Sequence, residues 1–256
     1  MKIKKGILIL LAATSCFVQT TKAIGQATGK PVTHQQLMWY GIFSSLYINE
    51  LWYVQAELQE RHFIHPEAQH QGLLRIHLHR SLGKSGWETS AGLAFFLHNP
   101  NDPEALSPLT TPEIRPHVEF ACKRRSPGIT LDHRYRMELR YYHNTNDQQS
   151  ILEDGYHFEN FRFRYRLQAT IPIWKSASTT LLNLKLSDEI HLNAGEKIVK
   201  NTFDQNRIYL GLNLQATEHL AIETGYMHYL QQRSNGAYFE RDILRLIVFH
   251  KLYLKK

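Results

Sequence analysis

The sequence predicts an all-β chain: a single antiparallel transmembrane β-barrel of about twelve strands, ten being the alternative, with short periplasmic turns and longer external loops. Three observations predict it. Apolar and polar side chains alternate with period two from residue 37 almost to the last residue, and a strand sends successive side chains to opposite faces. Residues 1–23 have the make-up of an export leader. The connections between alternating segments are short and long by turns, the rim asymmetry of an outer-membrane barrel.

The leader comes first. Met1-Lys2-Ile3-Lys4-Lys5 is a basic n-region, Gly6 to Val18 an apolar h-region, and small residues follow, with candidate cleavage after Ala23 or near Gln26. The h-region has 13 residues, short of the roughly 20 that a membrane-spanning helix needs. Cys16 follows Ala-Thr-Ser, which lacks the apolar residue that heads a lipoprotein box. Residues 1–23 are therefore expected to be a signal peptide and residues 24–256 the barrel domain. Lys2, Lys4, Lys5 and Lys22 lie in the leader with no acid. Without it the formal charge falls from +7 to +3, 26 basic against 23 acidic side chains. The basic balance thus belongs largely to targeting, and nucleic acid is not an expected partner. Cys122 is the one cysteine left, so no internal disulfide can form. No run of 18 apolar residues follows the leader. The slightly negative mean hydropathy of −0.39 fits a barrel, in which half of each strand is polar.

Eleven alternating segments follow in order. The first is Leu37 to Leu46. In Glu50 to His62, Tyr53, Gln55, Glu57, Gln59 and Arg61 oppose Trp52, Val54, Ala56 and Leu58. Arg75, His77 and His79 oppose Leu74, Ile76 and Leu78. Trp87 to His98 sets Leu93, Phe95 and Leu97 against Glu88, Ser90 and Gly92. Arg115, His117, Glu119 and Lys123 oppose Ile114, Val118, Phe120 and Cys122. Leu131 to Tyr142 has one charged face, Asp132, Arg134, Arg136, Glu138 and Arg140, and one greasy face, Tyr135, Met137 and Leu139. Phe158 to Ile173 sets Arg162, Arg164 and Arg166 against Phe161, Phe163, Tyr165 and Leu167. Thr179 to Leu192 is the eighth segment. In the ninth, Arg207, Tyr209, Gly211 and Asn213 oppose Ile208, Leu210, Leu212 and Leu214. His219 to Gln231 is the tenth. Phe239 to Tyr253 closes the series, apolar on both faces in its middle, so its register is ambiguous.

Eleven conflicts with the even strand number of bacterial single-chain barrels. The alternation of loop lengths also makes the first segment run downward, starting the chain outside. Residues 24–35 are expected either to supply an irregular twelfth strand or to rise through the lumen, unless a segment has been split or missed.

At this point the chain resembles a known family. His133-Arg134-Tyr135-Arg136-Met137-Glu138-Leu139-Arg140 is similar to the signature of the bacterial domain-of-unknown-function family numbered twenty-four ninety. Glu57 to Arg61, Arg162 to Leu167, Ser187 to Ile190, Phe203 to Ile208 and Gly225 to Met227 fit the same family. The resemblance spans nearly the whole chain after the leader. It implies an outer-membrane β-barrel of Gram-negative bacteria and supplies no catalytic residue.

The strongest chemical feature is a basic ladder on three successive segments: Arg115 and Lys123, then Arg134, Arg136 and Arg140, then Arg162, Arg164 and Arg166. Arg207 follows on the ninth. Glu119, Glu138 and Glu189, with Asp132 and Glu57, lie on the same inner faces and can pair with it. A salt-bridged network filling a narrow barrel is the plainer reading. A charged ring that selects or holds a small anionic solute is the functional one. The expected partners are outer-membrane lipid and that solute.

Gly225-Tyr226-Met227-His228 followed by Ser234-Asn235-Gly236 resembles the active strand of outer-membrane phospholipase A, which makes a lipid-active enzyme the alternative function. Six residues separate His228 from Ser234, about 20 Å along a strand, against the roughly 3 Å that a nucleophile and base need. Asn-Gly also reads as plain turn chemistry. No enzyme, catalytic residue or cofactor is expected. Among the fifteen histidines, His62, His65 and His70 fall in one loop near His77 and His79, with no established zinc spacing, and read as polar loop and interfacial residues. Trp39, Trp52, Trp87, Trp174, Tyr141 and Tyr226 read as an interfacial aromatic girdle.

Overall fold

The alternation becomes eleven strands: β1 Val32–Tyr47, β2 Trp52–Phe63, β3 Ala68–Ser81, β4 Trp87–His98, β5 Thr111–Ser126, β6 Ile129–Thr145, β7 Leu152–Ser176, β8 Thr179–Ala194, β9 Phe203–Gln215, β10 Leu220–Gln232 and β11 Tyr238–Tyr253. A one-turn 3-10 helix, Gly83–Ser85, lies between β3 and β4. The computed structural model describes residues 29–105, 109–176, 179–198 and 200–254. The expected leader at 1–23 lies outside the described residues.

Each strand pairs antiparallel with its sequence neighbour, and β1 closes the barrel against β11. That closing pair is parallel, running in register from Val32↔Tyr238 to Tyr47↔Tyr253. This corrects the expected strand count: there are eleven, neither twelve nor ten. An even number is needed only where every pair is antiparallel. A parallel seam permits closure with an odd one. Residues 32–35, assigned above to a twelfth strand or a luminal segment, are the first residues of β1.

The two rims differ as the loop pattern suggests, with less contrast. On the rim where β1 ends, the connections are 48–51, 82–86, 127–128, 177–178 and 216–219; on the other they are 64–67, 99–110, 146–151, 195–202 and 233–237. Strands β2, β3, β6 and β7 extend into segments that read as loop, because polar residues at a rim need no alternation to pair. The Pro127–Gly128 turn shows how the short rim is built: proline fixes its own φ, and Gly128 takes φ 81°, which a side chain would oppose.

The faces sort as the alternation requires. Leu74, Ile76 and Leu78 on β3, Leu93 and Phe95 on β4, Val118 and Phe120 on β5, Tyr135 on β6 and Phe163 on β7 point outward and are exposed. So do Ile190 on β8, Leu210 and Leu212 on β9, and Leu244 and Leu246 on β11. The buried residues are largely polar: Glu57, Arg75, His77, Arg115, Glu119, Arg136, Glu138, Arg164, Glu189 and Glu223 all lie inside. This is a globular core turned inside out. The ambiguous last strand settles with Arg241, Ile243 and Ile247 buried, and Leu244 and Leu246 out. A smaller apolar cluster, Leu37, Trp39, Phe63, Tyr209, Met227, Tyr229 and Ile243, packs inside on β1, β2, β9, β10 and β11. Gly211 and Gly225 face each other across β9 and β10. A Cβ at either position would collide with the Tyr209 hydroxyl, so the pair of glycines makes room for that ring against the wall.

The seam is directly testable. Met38 and Leu244 are parallel register partners, and adjacent strands lie about 5 Å apart. In a Cys122→Ser background, Met38→Cys with Leu244→Cys is expected to form an intramolecular disulfide on oxidation, read as a reduction-sensitive gel shift of the unfolded chain. A strand inserted between them would separate the pair to about 10 Å, and no shift would appear.

Candidate functional site: a charged barrel interior

Strands β5, β6, β7 and β8 are neighbours, so the ladder forms one wall. Glu138 is its centre: Arg164 donates to it at 2.7 Å and Arg115 at 3.5 Å, and Arg136 lies 3.6 Å away. Glu189 accepts from Arg164 at 2.9 Å and Arg134 at 2.5 Å. Glu119 accepts from Arg136 at 2.7 Å, with Arg134 at 3.6 Å. Three carboxylates and four guanidiniums thus form one continuous network. Its centre is dry to the protein exterior, with Glu138 only 1% exposed. Charges this buried persist only when paired and hydrogen-bonded.

The network continues outward from that centre. Glu113 takes Arg115 at 2.6 Å and Arg140 at 2.6 Å, and His98 lies at 2.5 Å. Arg162 pairs with Asp204 at 2.9 Å. Arg166 lies 3.5 Å from Asp132. Beyond the four-strand wall, Glu57 accepts from Arg75 at 2.7 Å, and Glu223 takes both Lys185 and Arg245. Arg207 behaves differently: its Nε and Nη2 donate to Gln205 Oε1 at 2.9 and 2.6 Å. Lys123 departs from the expected site. It is half exposed at the short rim, 3.9 Å from Asp132, because β5 runs beyond the interior by the time it reaches residue 123.

Several interior groups escaped the sequence reading. Asp204 is brought inside by a bulge, where His191 pairs with Gln205 and Leu192 with Phe203, leaving one residue over. Glu113 lies one residue before the recognised alternation begins. Arg241 and Arg245 sit on the strand whose register was ambiguous. His70, His77 and His79 are buried inside the barrel, a correction to their assignment as loop and interfacial residues. His77 lies 3.4 Å from Glu57 and 3.2 Å from His117. Among the described residues no group of three or more His, Cys, Asp or Glu could hold a metal ion. Trp39 also leaves the expected girdle: it is 3% exposed and inside, whereas Trp87 and Trp174 remain exposed outside.

The paired residues of the hydrolase reading lie apart. His228 points outward on β10, 3.6 Å from Glu240 and 3.7 Å from Asp242, and Tyr226 donates to the same Asp242. Ser234 belongs to the β10–β11 turn, where Asn235 Oδ1 accepts the Ala237 N–H at 3.0 Å. The strand continues from His228 to Gln232, which carries that turn about 13 Å away.

An interior cavity of about 210 Å³ remains between the walls. Ten arginines line it against two carboxylates, Glu57 and Glu189, because the other acids sit behind the guanidiniums they hold.

The family described as Protein of unknown function (DUF2490) matches residues 36–240. No curated protein matches the chain. A solved structure of the NanC porin in its rhombohedral crystal form is similar at 10% identity, with a TM-score of 0.44, over 76% of this chain and 80% of that one.

The centre of the wall predicts a large energetic response. Glu138→Gln takes one charged partner from Arg164, Arg115 and Arg136, which keep Glu189, Glu113 and Glu119, and losing charged hydrogen bonds of this kind costs about 1.5–3 kcal/mol. Urea unfolding of the detergent-folded protein is expected to show that loss. A change within about 0.5 kcal/mol, the range of ordinary surface substitutions, would mean the network is not held together through Glu138.

Proposed function

The chain belongs to the DUF2490 family of proteins of unknown function, and from that premise we propose that it is an outer-membrane β-barrel whose interior takes up small anionic solutes, as a narrow pore or binding vessel and not as an enzyme. The observation that carries this reading is the composition of the cavity wall, ten arginines to two carboxylates. Guanidinium rings of this kind attract and select anions.

The membrane location is supported by the belt of outward aliphatic and aromatic residues on the strands, which would cost much less against lipid than against water. Strands of 12–25 residues exceed the roughly 9–11 that a tilted span requires. The leader expected at residues 1–23 supplies the export route, and the short-turn rim then faces the periplasm. Outer-membrane lipid is the partner of the belt, and the solute the partner of the interior. The charged network faces inward, and nucleic acid is not among the proposed partners.

Reconstitution into planar bilayers tests the reading. Under a KCl gradient the expected current is small and its reversal potential lies toward chloride. Cation selectivity would contradict it, as would silence in the bilayer combined with no anion retention in equilibrium dialysis. The enzymatic alternative is tested separately with phospholipid and calcium. No turnover is expected, whereas turnover abolished by Ser234→Ala would establish lipid hydrolysis.

A further inference from the structure

Two buried arginines, Arg61 and Arg241, and the half-buried Arg207 stand apart from the network. Among the described residues, Arg61, Arg207 and Arg241 make no ion pair with a carboxylate, although Arg61 is only 6% exposed and Arg241 1%. Their partners are amides and rings. Arg61 donates to Gln71 at 2.6 Å and lies 4.0 Å from the centre of the Trp39 ring. Arg207 donates to Gln205 and lies 5.3 Å from the same ring and 5.0 Å from that of Tyr229. Arg241 is spent on Gln35, Gln231 and Asn101 and does not line the cavity. Arg61 and Arg207 do line it.

The register explains why these two meet. Arg61 on β2 is the cross-strand partner of Trp39 on β1, and Arg207 on β9 is the partner of Tyr229 on β10. β1, β11, β10 and β9 are consecutive around the closure seam. The seam therefore carries an aromatic wall with one guanidinium at each side, and Tyr209, Met227 and Phe43 extend the apolar surface of the same cavity. Opposite stands the salt-bridged wall of β5 to β8, where each inward arginine lies within 4 Å of a carboxylate. Two buried donors near the seam, Arg61 Nε and Trp39 Nε1, find no acceptor among the described residues. Buried, uncompensated positive charge is costly to maintain and is unusual without a role. Neutral amide oxygens satisfy the geometry of these guanidiniums and leave their charge intact.

We propose that this seam wall is a binding site for a small organic monocarboxylate with an apolar body, the carboxylate held between Arg61 and Arg207 and the body against Tyr209, Met227 and the neighbouring rings. A carboxylate accepts from both guanidiniums and returns the missing negative charge. The apolar wall offers nothing to a hydroxyl-rich body and favours one that sheds water. A volume of about 210 Å³ has room for a solute of benzoate size. The inference rests on the reading of the interior as open to anionic solutes and narrows it to one chemical class and one wall.

The test is isothermal titration calorimetry of the full-length, detergent-folded protein at low salt, with benzoate, acetate, benzamide and inorganic phosphate as probes. Benzoate is expected to bind saturably at one site. Acetate lacks the body and benzamide the charge, and each is expected to bind at least about tenfold more weakly, as is benzoate to Arg61→Gln and to Arg207→Gln. Both variants remove an uncompensated charge, so their unfolding midpoints are expected to equal or exceed the parent's, which separates lost binding from lost folding. Absence of saturable benzoate binding would overturn the proposal, as would benzamide or phosphate binding as tightly as benzoate, or unchanged benzoate affinity in Arg61→Gln and Arg207→Gln. Anion-selective conductance without benzoate binding would sink this inference and leave the proposed function standing. Absence of both would remove both.

Discussion

The interior of this barrel depends on a small number of carboxylates placed between guanidiniums, with Glu138 and Glu189 at the centre. Arg164 bridges the two, at 2.7 and 2.9 Å, so neutralising either acid takes a charged partner from more than one arginine. A barrel of this width cannot leave its inward residues to bulk water, as a wide porin can. Its inward residues must satisfy one another, so the charged network takes the place of a hydrophobic core. Such pairs add little net stability over a well-packed apolar core, but they are severe about partners. The arrangement of strands β5 to β8 follows from that severity: Arg134 faces Arg166 and Arg136 faces Arg164 across β6 and β7, a juxtaposition tolerable only because Glu119, Glu138, Glu189 and Asp132 reach in from the same wall.

The opposite wall is organised by closure and not by charge. The parallel β1–β11 pair brings the two chain ends of the sheet side by side, and the residues there are Leu37, Trp39, Ile243 and Ile247, all buried. Glu223 is the acid of this wall and holds Lys185 and Arg245; around Arg61, Arg207 and Arg241, aromatic rings and amides take the place of acids. Cation–π contacts stabilise a guanidinium without cancelling its charge. The interior is thus divided into a neutralised half and a positive, apolar half. That division is what gives the cavity a chemical character beyond being polar.

Much of this was legible in the sequence. Period-two alternation located every strand and the faces of most of them, since within an unbulged strand a side chain's face follows from its position. Arg115, Arg134, Arg136, Arg140, Arg162, Arg164 and Arg207, with Glu119, Glu138 and Glu189, all face inward. What failed was non-local. Strand parity depends on which ends meet, and nothing near Val32 or Tyr253 signals a parallel seam. Asp204 enters through a bulge, which shifts the alternation by one residue. Arg241 and Arg245 were hidden because Ile243 and Ile247 are apolar residues on the inner face. His70 and Trp39 were misread for a related reason: polar residues at a rim and aromatics near a strand end resemble interface residues until the strand is known to continue past them.

The central claim is that the greasy face of each strand meets lipid while the charged face is enclosed. Spin labels at Tyr135, Phe120 and Phe163, all outward and exposed, in vesicle-reconstituted protein test it most directly. The account predicts collisional relaxation of all three by oxygen, which concentrates in the bilayer, and little by a water-soluble nickel chelate. Greater relaxation by the nickel chelate at these three positions would mean that the apolar belt faces water, and would contradict the account.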